Sequence, residues 1–173
     1  AVENYFIIHT YISNDRTDYN TLIPVLEKHK KYLKKFPQEV TADSGYSSEA
    51  NLVYLKNNNI DSYIKLQMHE KMKTRAYKND PGKFYNMEKI ITENGVHFIC
   101  KDGRKLQYER SEYRNHNGYR SNFEVYACKD CSGCEFKPHC LYKYNEEKDI
   151  HKNKVMKINL LWETLKTESN NNV

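Results

Sequence analysis

Four of the five cysteines fall in one stretch, Cys128-x2-Cys131-x2-Cys134-x5-Cys140, and the fifth, Cys100, precedes the turn sequence Lys101-Asp102-Gly103. Two-residue gaps let neighbouring thiolates converge on one ion while the chain turns, so this block commits the middle of the chain to a small, tightly looped fold. An odd number of cysteines, mostly in one block, fits reduced thiols holding a metal better than a secreted disulfide framework. Tetrahedral zinc takes four ligands, which leaves one sulfur spare. The set Cys100, Cys131, Cys134 and Cys140 is favoured, with Cys128 as the alternative to Cys100. An iron–sulfur centre is the competing reading, but the fourth spacing departs from the ferredoxin run and no Cys-Pro follows. A block that holds no stable metal is the third.

The rest of the sequence divides around that block. At 173 residues, one domain with a real core plus a small metal-stapled insert is the expected size. Tyr5–Ile12 is rich in β-branched and aromatic residues and reads as a strand. Asp18 can cap a helix whose apolar positions Leu22, Val25, Leu26, His29 and Leu33 share one face, with Phe36-Pro37 ending it. Glu39–Asp43 reads as a short strand. Ser44-Gly45 is the turn after it, Ser47 or Ser48 caps a helix through Leu52 and Leu55, and Ile60–Lys65 is a further strand. Strand, helix, strand in so short a span is a βαβ unit with parallel strands and a right-handed crossover. The expected fold class is therefore α/β, with residues 1–65 forming the core, 66–145 a basic cysteine-rich insertion, and 146–173 a helix returning to the core before a frayed tail at Glu168–Val173. In the insertion only Val96–Cys100 and Phe123–Tyr126 look like strands. Helical spacing resumes from Val155 through Ile158, Leu161, Trp162 and Leu165.

Asp43 stands at the carboxyl end of its strand, where open α/β sheets place their chemistry. A carboxylate there can hold Mg²⁺ or Mn²⁺ for phosphoryl transfer. An Asp before Ser-Gly at a strand end is also an ordinary turn, and Asp15 and Asp18 read as turn and cap residues. Charge adds a second hint. Lys65–Lys143 holds 16 Lys/Arg against 10 Asp/Glu, so the net charge of +5 is concentrated in the insertion. Lys71, Lys73, Arg75, Arg104, Lys105, Arg110, Arg114 and Arg120 are interleaved with Tyr108, Tyr113 and Tyr119, and such a set can track phosphates and stack bases. No stretch reaches the length of a membrane span and no signal peptide opens the sequence, so a soluble, cytoplasmic protein is expected.

Several elements in order resemble the bacterial insertion-sequence transposases of the DDE class that carry a cysteine-bearing insert. These are Asn14-Asp15-Arg16-x-Asp18, Leu22–Leu26, Thr41-Ala-Asp-Ser-Gly-Tyr46, Glu49-x2-Leu52-x2-Leu55, Phe98–Leu106, and Tyr126-x-Cys through Cys140. The resemblance implies a partial RNase H-like core in which three acids hold two divalent ions, Mg²⁺ or Mn²⁺, at a DNA phosphodiester. It implies that Asp43 is the second of those acids. The first and third are expected beyond the two ends of this sequence, so the chain reads as a fragment of the C-terminal half, inactive by itself, with DNA as its partner and homo-oligomerisation possible through an unpaired sheet edge. A zinc-dependent nucleic-acid-binding module is the alternative function.

Overall fold

The computed structural model describes residues 1–93 and 95–172. The chain begins with a two-stranded antiparallel hairpin, β1 (Val2–Glu3) and β2 (Phe6–Ile7), turned by Asn4 and Tyr5 at φ 48° and 67°. The strand expected over Tyr5–Ile12 is thus cut to its first third. Tyr5 is spent in the turn, and among the described residues no ladder partner meets residues 8–12.

A single 3₁₀ turn, Asp18–Asn20, leads into α1 (Leu22–Leu33). Thr21 occupies the N-cap without a side-chain cap, so Asp18 does not cap this helix; its carbonyl instead accepts from the Thr21 backbone N–H and hydroxyl. Leu22, Leu26 and His29 are buried as the spacing predicts, whereas Leu33 is 40% exposed. The helix ends at Lys34 in the left-handed conformation, before Phe36-Pro37. The βαβ unit is present: β3 (Glu39–Ala42), a 3₁₀ turn at Ser44–Tyr46, α2 (Glu49–Asn57) and β4 (Asp61–Ile64), with β3 and β4 paired in parallel from Glu39↔Asp61 to Ala42↔Ile64. Ser48 caps α2 by accepting from the Asn51 N–H.

Two short helices follow, α3 (His69–Lys73) and α4 (Arg75–Lys78). Then comes a five-stranded antiparallel sheet in strict sequential order: β5 (Glu88–Thr92), β6 (Gly95–Ile99), β7 (Lys105–His116), β8 (Tyr119–Cys128) and β9 (Val155–Ile158). Between β8 and β9 lie α5 (Lys137–Cys140) and α6 (Glu146–Asp149). The expected strands Val96–Cys100 and Phe123–Tyr126 correspond to β6 and part of β8, whereas β5 and β7 have no counterpart among the expected strands. Val155–Ile158, expected to be helical, is extended. Met156 and Ile158 alternate with exposed neighbours and pair with Tyr126 and Glu124, which makes the segment a strand. The helix α7 (Leu160–Asn172) starts only after Asn159. It runs through the tail expected to fray; Val173 lies outside the described residues.

The chain divides into two compact units, residues 1–69 with 162–173, and residues 70–161. Each has a core of its own. In the first, Leu22, Leu26, Leu52, Leu55, Ile60, Ile64 and Leu165 pack together. In the second, Met87, Phe98, Leu106, Tyr126, Met156 and Ile158 are joined by Cys128 and Cys131. Among the described residues no helix is long and apolar enough to cross a membrane.

Candidate functional site

Asp43 is where the βαβ unit turns from strand to helix. It is exposed, immediately follows β3, and its Oδ1 accepts a 2.7 Å hydrogen bond from the Gly45 N–H, so the 3₁₀ turn fixes the orientation of the carboxylate. A second acid stands beside it. A Cβ added at Gly45 would lie 2.9 Å from Asp43 Oδ1 and 3.2 Å from Asp18 Oδ2, so both carboxylates approach the same point. A side chain at Gly45 would therefore crowd both carboxylates.

What brings the two turns together is Asn51, in the first half of α2 and almost fully buried. Its side-chain amide donates to the Tyr19 carbonyl at 3.0 Å and to the Tyr46 carbonyl at 2.9 Å, one on each turn. Neither Asn51 nor the nearness of Asp18 could be read from the sequence, since both depend on a contact 32 residues long. Replacing Asn51 by Leu removes the donor to the Tyr19 carbonyl, while the Tyr46 carbonyl keeps the Ser48 N–H, and is expected to destabilise the chain by about 1–3 kcal/mol. Urea unfolding of the variant measures this, and an unchanged midpoint would show that water satisfies the Tyr19 carbonyl instead.

The five cysteines come from three segments of the second unit and line a single cavity of about 20 Å³, shared with Arg104, Leu106, Lys137, Leu141 and Lys154. All five are free thiols. Cys100 follows β6 in a turn closed by Gly103 N–H donating to Cys100 O at 2.9 Å, with Gly103 at φ 71°, a conformation that favours glycine. Cys128 ends β8, Cys131 and Cys134 lie on the following loop, and Cys140 ends α5. Arg104 ties two of these segments together. Its Nε donates to Asp102 and its two terminal nitrogens to the carbonyls of Asp130 and Ser132, at 2.6, 2.9 and 2.8 Å. The Lys154 N–H donates to Cys131 Sγ at 3.3 Å, and the Lys154 ammonium to the Cys140 carbonyl at 2.9 Å.

Burial, with the adjacent Cys131 thiol, pushes Cys128 up to about 11, and burial raises Cys134 and Cys140 as well. Burial also lowers Lys154. Without a bound cation these sulfurs therefore stay protonated at neutral pH. In donor chemistry the cavity suits a soft, thiolate-binding ion. In geometry it is a convergence rather than a finished shell: among the described residues no three His, Cys, Asp or Glu side chains stand as metal ligands to one point.

The basic residues separate by their partners. Lys71, Lys73 and Arg75 are exposed on α3 and α4, with Lys73 3.6 Å from Glu70, and Lys105 is exposed at the start of β7. Arg104 is committed to the cysteine loops, and Arg110 is paired with both Glu109 and Glu112 at 2.7 Å. Arg114 and Arg120 point from the β7–β8 hairpin, lying 5.1 Å and 3.7 Å from the ring centres of Phe123 and Tyr113. Apart from the paired Arg110, the exposed cations of β7 and β8 are thus Lys105 at the start of β7 and Arg114 and Arg120 near the hairpin end.

Residues 99–173, which include all five cysteines, match the family model described as "Transposase DDE domain". No curated protein and no solved structure matches the chain.

Proposed function

We propose that this chain, whose residues 99–173 match the transposase DDE domain model, is a fragment of an enzyme that cuts and joins DNA by metal-dependent phosphoryl transfer. The observation that carries the reading is the pairing of this family match with a carboxylate presented at the carboxyl end of a parallel strand. The βαβ unit of β3, α2 and β4 is then a part of an RNase H-like core, and the second compact unit, residues 70–161 rather than 66–145, an insertion whose antiparallel sheet takes in β9.

In this reading Asp43 shares a divalent ion, Mg²⁺ or Mn²⁺, with other acids, and Asp18 is placed to join it. Hard carboxylate oxygens with water completing the shell suit Mg²⁺. The ion would supply Lewis-acid stabilisation of the attacking and leaving oxygens. The chain supplies the fixed orientation: the Gly45 N–H holds one lone pair of Asp43, and Asn51 sets the distance to Asp18. Four of the cysteines Cys100, Cys128, Cys131, Cys134 and Cys140 hold a structural zinc that staples the loops of the insertion. The exposed cations Lys71, Lys73, Arg75, Lys105, Arg114 and Arg120 form the DNA-facing surface, while Arg104 and Arg110 serve the protein's own acids and carbonyls.

Titration of the isotope-labelled chain with Mn²⁺ tests the acid site directly. Paramagnetic broadening is expected to begin at the amides of Asp18 and Ser44–Tyr46 and to vanish there in Asp43→Ala. Broadening that starts elsewhere and ignores that substitution would remove the metal role of Asp43.

A further inference from the structure

The longest strands of the sheet outrun it. β6 pairs with β7 only at Lys105–Gln107, and β9 pairs with β8 only at Glu124–Ala127. Beyond those borders, among the described residues, Glu112–His116 and Tyr119–Phe123 pair with each other alone, through five cross-strand pairs ending at His116↔Tyr119. Asn117 and Gly118 close the tip at φ 48° and 79°, the left-handed pair whose twist matches that of the strands it joins. The result is a two-stranded ribbon projecting past the sheet, about 17 Å long at ~3.4 Å per residue.

Its two faces differ. Alternation puts Tyr113, Asn115, Arg120 and Asn122 on one face, and all four are exposed. The other face carries the half-buried Glu112, Tyr119, Ser121 and Phe123, with Arg114 laid against Phe123. On the open face the Arg120 guanidinium lies over the Tyr113 ring, 3.7 Å from its centre, which holds it in place without consuming its N–H donors. The one acid of the ribbon, Glu112, is already held by Arg110 and Lys157, so the tip presents positive charge and amide groups with no competing carboxylate.

A two-stranded ribbon is one of the two protein elements that fit the B-DNA major groove, about 12 Å wide and ~8.5 Å deep. Arginine and asparagine are the side chains whose paired donors and acceptors match guanine and adenine edges there. We infer that the ribbon Glu112–Phe123 enters the major groove of duplex DNA and reads base edges through Asn115, Arg120 and Asn122. The inference rests on the proposal that DNA is the partner, and goes beyond it by naming the element, the groove and the readers.

The test uses the whole chain and a fluorescent pool of duplexes of random sequence, with binding followed by anisotropy at low salt. The pool bound by the wild-type chain is expected to be displaced by methyl green, which occupies the major groove, and not by netropsin, which occupies the minor groove. Asn115→Ala combined with Arg120→Ala, both on an exposed tip and checked by far-UV circular dichroism, is expected to weaken binding about fivefold or more. Wild-type binding that resists methyl green, or that falls less than fivefold in the double variant, overturns the ribbon while leaving DNA as partner. Absence of wild-type binding at low salt overturns both.

Discussion

Stripping the chain of zinc is expected to melt the second compact unit while leaving the first folded. Metal analysis of protein expressed in zinc-supplemented medium should return about one zinc per chain, and a strong chelator should abolish amide protection in β6, β7 and β8 but not in α2 and β4. The magnitudes decide this. Structural zinc sites contribute about 10–16 kcal/mol in small thiolate-bound domains, whereas whole domains are stable by about 5–15 kcal/mol. If zinc is held as proposed, a unit that uses two of its cysteines, Cys128 and Cys131, as core residues is expected to unpack when that term is lost. Cys131→Ser and Cys140→Ser should each mimic the chelator. A chain that contains no zinc, or whose hydrogen exchange ignores the chelator, would remove the staple from the proposal. A brown preparation would bring back the iron–sulfur alternative.

The second large effect is catalytic. In a transposase that carries this segment with its full acid set, Asp43→Ala is expected to reduce strand transfer by far more than a hundredfold. Outer-shell partners of a metal typically cost about 10–100-fold when removed, and a direct ligand costs more. Asp43→Asn keeps the hydrogen bond to Gly45 and the local turn but removes the charge, so it should be nearly as inactive while keeping wild-type stability. Strand transfer within tenfold of wild type in both variants would show that Asp43 is only a turn residue. Asp18→Asn is the informative companion. A strong loss there assigns the neighbouring carboxylate to the same ion, and a mild one confines it to shaping the turn.

Much of the acid-bearing unit was legible because its signals are local. The Ser48 cap, the spacing of Leu52 and Leu55, the asparagine stop and the short β-branched runs on either side all lie within one βαβ span, and β3, α2 and β4 follow them closely. The sheet of the second unit was less legible for a physical reason. Along Lys105–His116 only Leu106 is buried, so the strand shows no period-two alternation and reads as polar loop. A ribbon with both faces largely open has no buried stripe to announce it. In Val155–Leu165 the two periods run together: Met156 and Ile158 belong to a strand, Leu165 to a helix, and only Asn159 marks the change. The cysteine spacing predicted convergence but not which segments would frame it. By charge alone Arg104 resembles the other candidate phosphate contacts, and only the fold shows the carbonyls of Asp130 and Ser132 that take it up.

That a single amide bridges the Tyr19 and Tyr46 carbonyls has a mechanical corollary. The separation of the two neighbouring carboxylates is inherited from the pitch and position of one helix, so the connections between the elements can drift in length or composition without altering it. Loops on this scaffold are free to diversify, whereas a half-turn slip of α2 would pull both turns out of alignment at once.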